Sequence, residues 1–125
     1  MSGLQRVTTE LLARLGERQV VTDRQELRTY ECDGLAHYKV VPGLVVLARS
    51  ASDVQAVVRA CARHGVPFVA RGSGTGLSGG ALPHAEGVLV VLSQMREILD
   101  VDVEAQRAVV EPGVINLQLT RVMTP

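Results

Sequence analysis

Phe68-Val69-Ala70-Arg71-Gly72-Ser73-Gly74-Thr75-Gly76-Leu77-Ser78-Gly79-Gly80 joins a short apolar run to ten residues that hold five glycines and no acidic side chain. Such a stretch packs a core poorly, because it has little side chain to bury and its glycines lose much entropy on ordering. It suits an anion well. Without a Cβ the chain reaches φ > 0 and a ligand approaches the main chain closely, so that successive N–H dipoles converge on phosphate oxygens. Ser73, Thr75 and Ser78 add hydroxyl donors, and Arg71 adds the one charge. A hydrogen bond to a charged oxygen contributes about 1.5–3 kcal/mol, so four or five together hold a pyrophosphate.

Upstream of this loop the apolar pattern reads strand, helix, strand. Pro42-Gly43 breaks the chain before the strand Leu44–Ala48. Ser52 with Gln55 three residues on has the form of a capping box. Val54, Val57, Val58 and Cys61 then make one apolar stripe, with Asp53, Arg59 and Arg63 facing outward. Gly65 supplies the C-terminal glycine and Pro67 prevents continuation. Phe68–Ala70 is the second strand, and a crossover of this kind makes the two parallel. The glycine loop therefore leaves the C-terminal end of a parallel strand, where open α/β sheets place their ligands.

Outside this unit, Leu4, Val7, Leu11, Leu12 and Leu15 recur at helical spacing up to Gly16, which predicts a helix over Leu4–Leu15. Val20-Val21 is a short extended piece. Thr22 or Asp23 caps a second helix running to about Glu31. After the loop come the apolar strand Val88–Leu92 and a short turn of helix near Gln94–Glu97. A hairpin follows, Leu99–Val103 with Arg107–Val110 around Glu104-Ala105-Gln106. Pro112-Gly113 turns the chain into a helix over Asn116–Val122. No strand follows to cover that helix's apolar face, and the chain is expected to be the front part of a larger protein or a truncated product.

The 125 residues allow at most one domain, with 46% hydrophobic and 21% charged residues, ordinary for a soluble globular protein. Thirteen basic and thirteen acidic residues cancel, so net charge indicates neither nucleic acid nor an anionic membrane as partner. Twelve of the basic residues are Arg and one is Lys39, a bias that fits GC-rich coding better than guanidinium sites, since the Arg are scattered. Tyr30, Tyr38 and Phe68 are the three aromatics, little material for base stacking. Cys32 and Cys61 have no metal-type spacing and read as reduced thiols of a cytosolic protein, Cys61 as a small buried hydrophobe. The N-terminus lacks a signal peptide's apolar stretch, and no segment approaches the ~18 apolar residues of a membrane span. Membrane association is expected to be peripheral at most.

Gly74-Thr75-Gly76-Leu77-Ser78-Gly79 satisfies G-x-G-x-x-G literally, and Asp100 lies about twenty positions on. A dinucleotide fingerprint requires the loop to open a helix. Here Gly80-Ala81-Leu82-Pro83-His84-Ala85-Glu86-Gly87 follows, which is a loop, so that reading fails. A P-loop fails because Gly-Lys-Ser/Thr is absent.

Arg71-Gly72-Ser73-Gly74-Thr75-Gly76-Leu77-Ser78-Gly79-Gly80-Ala81 instead resembles the phosphate-binding loop of FAD-linked oxidases of the vanillyl-alcohol oxidase, or PCMH, type. Gly65-Val66-Pro67 matches the phrase that precedes that loop in the family. Tyr30-Glu31-Cys32-Asp33-Gly34-Leu35, then Pro42 and Val45-Val46-Leu47, resemble the approach to the first strand in glycolate oxidase FAD subunits and related D-2-hydroxy-acid dehydrogenases. Val109-Val110-Glu111-Pro112-Gly113-Val114 resembles a later strand-turn lying along the flavin nucleotide.

The resemblance implies an α+β PCMH-type FAD-binding domain over residues 41–125, behind an N-terminal helical segment over 1–40. It has a parallel βαβ subdomain and the start of a second, mixed or antiparallel one. By the same resemblance, Arg71 and the main chain of Gly72, Ser73, Gly74, Thr75, Gly76, Leu77, Ser78 and Gly79 cradle the FAD pyrophosphate. Val41 and Pro42 lie near the adenosine or ribityl portion, and Pro112, Gly113 and Val114 lie on the cofactor's opposite side. Family members with covalent FAD carry a His near the position of Thr75. None stands there, so non-covalent FAD is implied, and His84 reads as a surface residue. The implied substrate is a small 2-hydroxy acid such as glycolate or D-lactate. The implied partners are flavin and iron–sulfur oxidase subunits, in the cytoplasm or peripheral to the inner membrane. Catalytic residues are not assigned: His64 reads as a cation at a helix C-terminus and His37 as a surface residue. The alternative is a phosphate- or nucleotide-binding module without redox chemistry. A third reading is a truncation that does not fold stably, because its strands are left with open edges.

Overall fold

The computed structural model describes residues 1–32, 34 and 38–124. Helix α1, Gly3–Leu15, starts on a capping box: Gln5 N–H donates to Ser2 Oγ (3.2 Å) and the Gln5 side chain accepts from Ser2 N–H (2.8 Å). It ends at Gly16 (φ 82°), where an L side chain would be strained. Strand β1, Val20–Val21, and helix α2, Arg24–Arg28, follow. Asp23 caps α2 by accepting from the N–H groups of Gln25 and Glu26. This helix stops three residues short of the expected Glu31, because the chain after Thr29 turns to meet the sheet.

Strand β2, Leu44–Leu47, leads into α3, Ala51–His64, which ends on Gly65 in the left-handed conformation (φ 63°, ψ 35°), as Gly65-Val66-Pro67 suggests. Its N-cap is Ser50 and not Ser52: Ser50 Oγ accepts from Asp53 N–H at 3.2 Å. Asp53 is not outward-facing either. Its carboxylate accepts from Gln19 Nε2 (2.8 Å) and Arg49 N–H (2.9 Å), pinning the start of α3 to the turn after α1. Of the expected stripe, Val57 and Cys61 are buried together with Ala56 and Ala60, whereas Val58 is exposed.

Strands β3, Phe68–Arg71, and β4, Val88–Val91, complete a four-stranded sheet ordered β1-β2-β4-β3. β2 and β3 are parallel, but each pairs with β4 and not with the other; β1 is antiparallel to β2. The central position of β4 explains its unbroken apolar sequence, since both its faces are covered. On one face Leu44, Val46, Val88 and Val90 pack against Val7 and Leu11 of α1 and Val57 and Cys61 of α3. On the other, Val45, Leu89 and Val91 pack against Leu27, Tyr30 and Val41. Residues 1–40 thus supply β1 and two covering layers to the same core as residues 41–91. Each fully buried Val or Leu contributes about 1.5–3 kcal/mol relative to exposure.

The remainder is a separate two-stranded sheet, β5 (Ile98–Asp102) and β6 (Arg107–Val110), antiparallel and with an irregularity between Ile98 and Asp100. Asp102 Oδ1 accepts from Ala105 N–H (2.9 Å) in the hairpin turn. The helical turn expected at Gln94–Glu97 is absent. That stretch is a tight turn at Ser93-Gln94, with Met95 N–H donating to Leu92 C=O (3.1 Å). Helix α4, Asn116–Met123, has no side-chain cap and no buried residue; Leu117 and Val122 are 56% and 59% exposed.

Candidate functional site

Register fixes the site's position. Leu47, Val91 and Arg71 form one row at the C-terminal end of the parallel strands, and Leu92 N–H donates to Arg71 C=O (2.7 Å) to close the ladder one step later. The glycine loop starts there. Among the described residues, no backbone N–H from Gly72 to Ala81 donates to a protein acceptor, and the first that does is Leu82, to Gly79 C=O (3.2 Å). Nor do the hydroxyls of Ser73, Thr75 or Ser78 have a hydrogen-bond partner among those residues. Unpaired main-chain donors concentrated in one loop are the reverse of what a folded backbone normally shows. The loop is largely exposed, so water satisfies these donors until an acceptor displaces it.

Gly74 (φ 73°) and Gly79 (φ 75°) take the left-handed conformation that re-aims the N–H groups on either side of them. At Gly72, Gly76 and Gly80 a Cβ would meet nothing within 4 Å, so the protein itself sets no steric demand for glycine there. The space next to those backbones is open to a ligand. An anion such as a pyrophosphate fits this donor set, which contains no carboxylate to repel it.

Arg71 holds the loop's base. Its Nη1 donates to Tyr30 C=O (3.2 Å) and Cys32 C=O (2.9 Å), and its guanidinium carbon lies 5.6 Å from the Tyr30 ring centroid. Farther along, Gly34 N–H donates to Gly76 C=O (2.9 Å). Sequence reasoning missed these tethers. Tyr30 and Arg71 are 41 residues apart, and no local pattern announces a pairing made by a carbonyl.

The other predicted residues divide by end of the sheet. Gly113 N–H donates to Met95 C=O (2.7 Å), and a Cβ on Gly113 would sit 2.6 Å from that oxygen, so Pro112, Gly113 and Val114 are seated just beyond the C-terminal end of β4. The structure therefore brings this turn and the base of the glycine loop to one end of adjacent strands. Pro42 it does not. Pro42 is buried two residues before the Leu44–Val88–Phe68 row, at the N-terminal end of the same strands, and Val41 packs on the sheet face beside Tyr30. Two cavities of about 310 and 420 Å3 open at that N-terminal end too, beside Gly65–Pro67 and Gly43–Leu44.

His64 Nε2 lies 3.4 Å from Glu10 Oε2 at the end of α3, and His84 is exposed with its Nδ1 accepting from Glu86 N–H (3.1 Å). His37 and Asp33 lie outside the described residues. Cys61 is buried against α1, and desolvation, aided by the charge of Glu10, pushes its thiol up to about 11. A thiol so protonated is no nucleophile. Among the described residues no group of His, Cys, Asp and Glu side chains is arranged to hold a metal ion, and no helix is long and apolar enough to cross a membrane.

Known proteins resemble this chain in sequence and in fold. The chain is 46% identical over 107 residues to glycolate oxidase subunit GlcD of Escherichia coli, a match covering 86% of this chain and 21% of the relative. It is 37% identical to the subunit of the same name from Bacillus subtilis, over 74% of this chain and 20% of that protein. With D-2-hydroxyglutarate dehydrogenase of Stutzerimonas stutzeri the identity is 36%, over 81% of this chain and 22% of the relative. The chain thus spans about one fifth of the length of these relatives. Among solved structures it superposes on p-cresol methylhydroxylase with a TM-score of 0.79 at 24% identity, over 97% of this chain and 24% of that one, which shows a shared PCMH-type α+β fold. FAD is the cofactor of this family, and the loop between Arg71 and Ala81 offers neither His nor Cys for covalent attachment. A family model described as "FAD binding domain" matches residues 42–125, and the chain belongs to that family.

Proposed function

We propose that this chain is the nucleotide-cradling part of a flavin-dependent oxidoreductase that converts a small 2-hydroxy acid, glycolate or D-lactate, to the 2-oxo acid. The observation that carries the reading is the run of main-chain N–H groups from Gly72 to Gly79 left without acceptors among the described residues, beside a parallel-strand end. In this reading those amides bind the FAD pyrophosphate, Ser73, Thr75 and Ser78 add hydroxyl donors, and Arg71 anchors the base. The turn Pro112-Gly113-Val114, held by Met95, lines the cofactor's other side. Val41 and Pro42 contact it only where the nucleotide runs along the strands toward their N-terminal ends. Residues 41–125 carry the contacts and residues 1–40 buttress them. Bound flavin supplies a two-electron acceptor for the hydrogen on the substrate's hydroxyl-bearing carbon.

No described residue of this chain is assigned as the base for the hydroxyl proton. Since the chain spans about one fifth of its relatives' length, it is expected by itself to bind FAD weakly and to turn over neither glycolate nor D-lactate. Relatives named as oxidase subunits support association with further subunits. Two free cysteines support a cytoplasmic setting.

Titrating the purified chain with FAD, read by quenching of flavin fluorescence, tests the proposal. Saturable binding that ADP competes with is expected. Absence of flavin binding, together with stabilisation by simple nucleotides or inorganic phosphate, would favour a phosphate-binding module without redox chemistry. Turnover of a hydroxy acid by the 125-residue chain alone would overturn the expected inertness.

A further inference from the structure

The glycine loop has no main-chain hydrogen bond of its own between Gly72 and Ala81 among the described residues, so its shape is imposed from outside. The tethers come from one segment, Tyr30 to Gly34. Arg71 reaches back to the carbonyls of Tyr30 and Cys32 through Nη1. The remaining edge of the same guanidinium lies along Gly74, where any Cβ would collide with its Nη2, Cζ and Nε. One step farther, Gly34 N–H donates to Gly76 C=O, and a Cβ on Gly34 would run into Thr75 C=O. Two consecutive parts of the loop are therefore clamped against the same segment, with one planar side chain between them.

We propose that Arg71 is a positioning residue: its guanidinium clips the Tyr30–Gly34 segment to the glycine loop and so pre-forms the amide cradle, instead of serving as a phosphate-binding cation. The chemistry favours a clip. A guanidinium offers donors in a rigid fork and a flat face that stacks, so it can hold two carbonyls, a tyrosine ring and a glycine backbone at once; an ammonium cannot. A glycine-rich loop left free would have to be ordered each time it bound an anion, and holding it ready removes that entropic cost from binding. Gly74 then has two reasons to be glycine, its positive φ and the guanidinium that fills the space of a side chain.

The consequence for nucleotide affinity rests on the flavin reading given above; the clip itself does not. Two measurements on the whole chain separate them. Without flavin, hydrogen exchange at the Gly34 amide reports the clamp, since that N–H is bonded to Gly76 C=O. R71K, which keeps the charge and loses the fork, is expected to exchange there at least tenfold faster than wild type. With FAD, R71K is expected to bind at least tenfold more weakly, and R71Q, which removes the charge, is expected to keep wild type's dependence on ionic strength. G34A, which presses on Thr75 without touching any charge, should reproduce the loss of affinity even where R71A does not fold. Wild-type exchange in R71K overturns the clip. So does faster exchange with unaltered FAD affinity, wild-type affinity in G34A, or a salt dependence of FAD binding that flattens in R71Q, which removes the charge, the mark of a direct phosphate contact. Should wild type bind no FAD at all, the flavin reading fails while Gly34 exchange still decides whether Arg71 holds the loop.

Discussion

Strand β4 and the glycine loop before it use their backbones in opposite ways. Val88, Leu89, Val90 and Val91 are each 4% exposed or less and sit in register between two parallel neighbours. Between Gly72 and Ala81 every side chain but that of Leu77 is small or absent, and the N–H groups point to no protein acceptor among the described residues. The strand is a matter of stability and tolerates little change. The loop contributes almost nothing to stability, and what it offers is hydrogen bonds to something that is not the protein. The same division separates two kinds of glycine. At Gly87 a Cβ would sit 2.7 Å from Pro67 C=O, whereas at Gly72 it would meet nothing.

The contrast should break most severely at Leu89, wholly buried at the centre of the sheet. L89A is expected to cost about 2–5 kcal/mol in denaturant unfolding. A cost below that range would mean the sheet does not carry the core. Next in size is a pH effect at Cys61, whose thiol burial raises from 9.0 to about 11. The folded chain holds this proton more tightly than the unfolded one. Its stabilising contribution is therefore complete below pH 9 and is lost as pH climbs toward 11, by up to roughly 2–3 kcal/mol at 1.36 kcal/mol per unit. Comparing wild type with C61A at pH 8 and about 10.5 isolates it, since the variant should lack that part of the slope.

The two glycines sharpen the comparison at its lower end. G87A should lose about 1–3 kcal/mol, because a backbone carbonyl must move to admit the methyl group. G72A should leave the unfolding midpoint within about 0.5 kcal/mol of wild type. Its FAD affinity should nonetheless fall at least tenfold, because the methyl group occupies the space through which an anion approaches the amides. A G72A chain that binds FAD normally would mean that ligand approach is not what keeps residue 72 a glycine.

Much of the site was legible in the residues themselves. Gly65 after a helical stripe and five glycines after Phe68–Ala70 each declare a local backbone geometry, because glycine reaches conformations that other residues rarely adopt. The N-cap of α3 was not legible, because Ser50 and Ser52 both offer a hydroxyl at a workable distance. What selects Ser50 is Asp53, held from a different part of the chain by Gln19. Val58 lies on the margin of its helical stripe, and only the placement of α1 decides that it stays exposed.

From its own letters the chain determined most of its helices and strands, though not the extent of α2 or the turn at Ser93-Gln94, and which loop is rich in glycine, because steric limits and capping act over a few neighbouring residues. Tertiary structure alone decided that β4 lies between β2 and β3, that Pro42 stands at the far end of the strands from the glycine loop, and that Arg71 reaches Tyr30 and Cys32. Those outcomes depend on pairings across dozens of residues. Their energy comes from burying whole faces of the sheet, and no short window of sequence contains both partners.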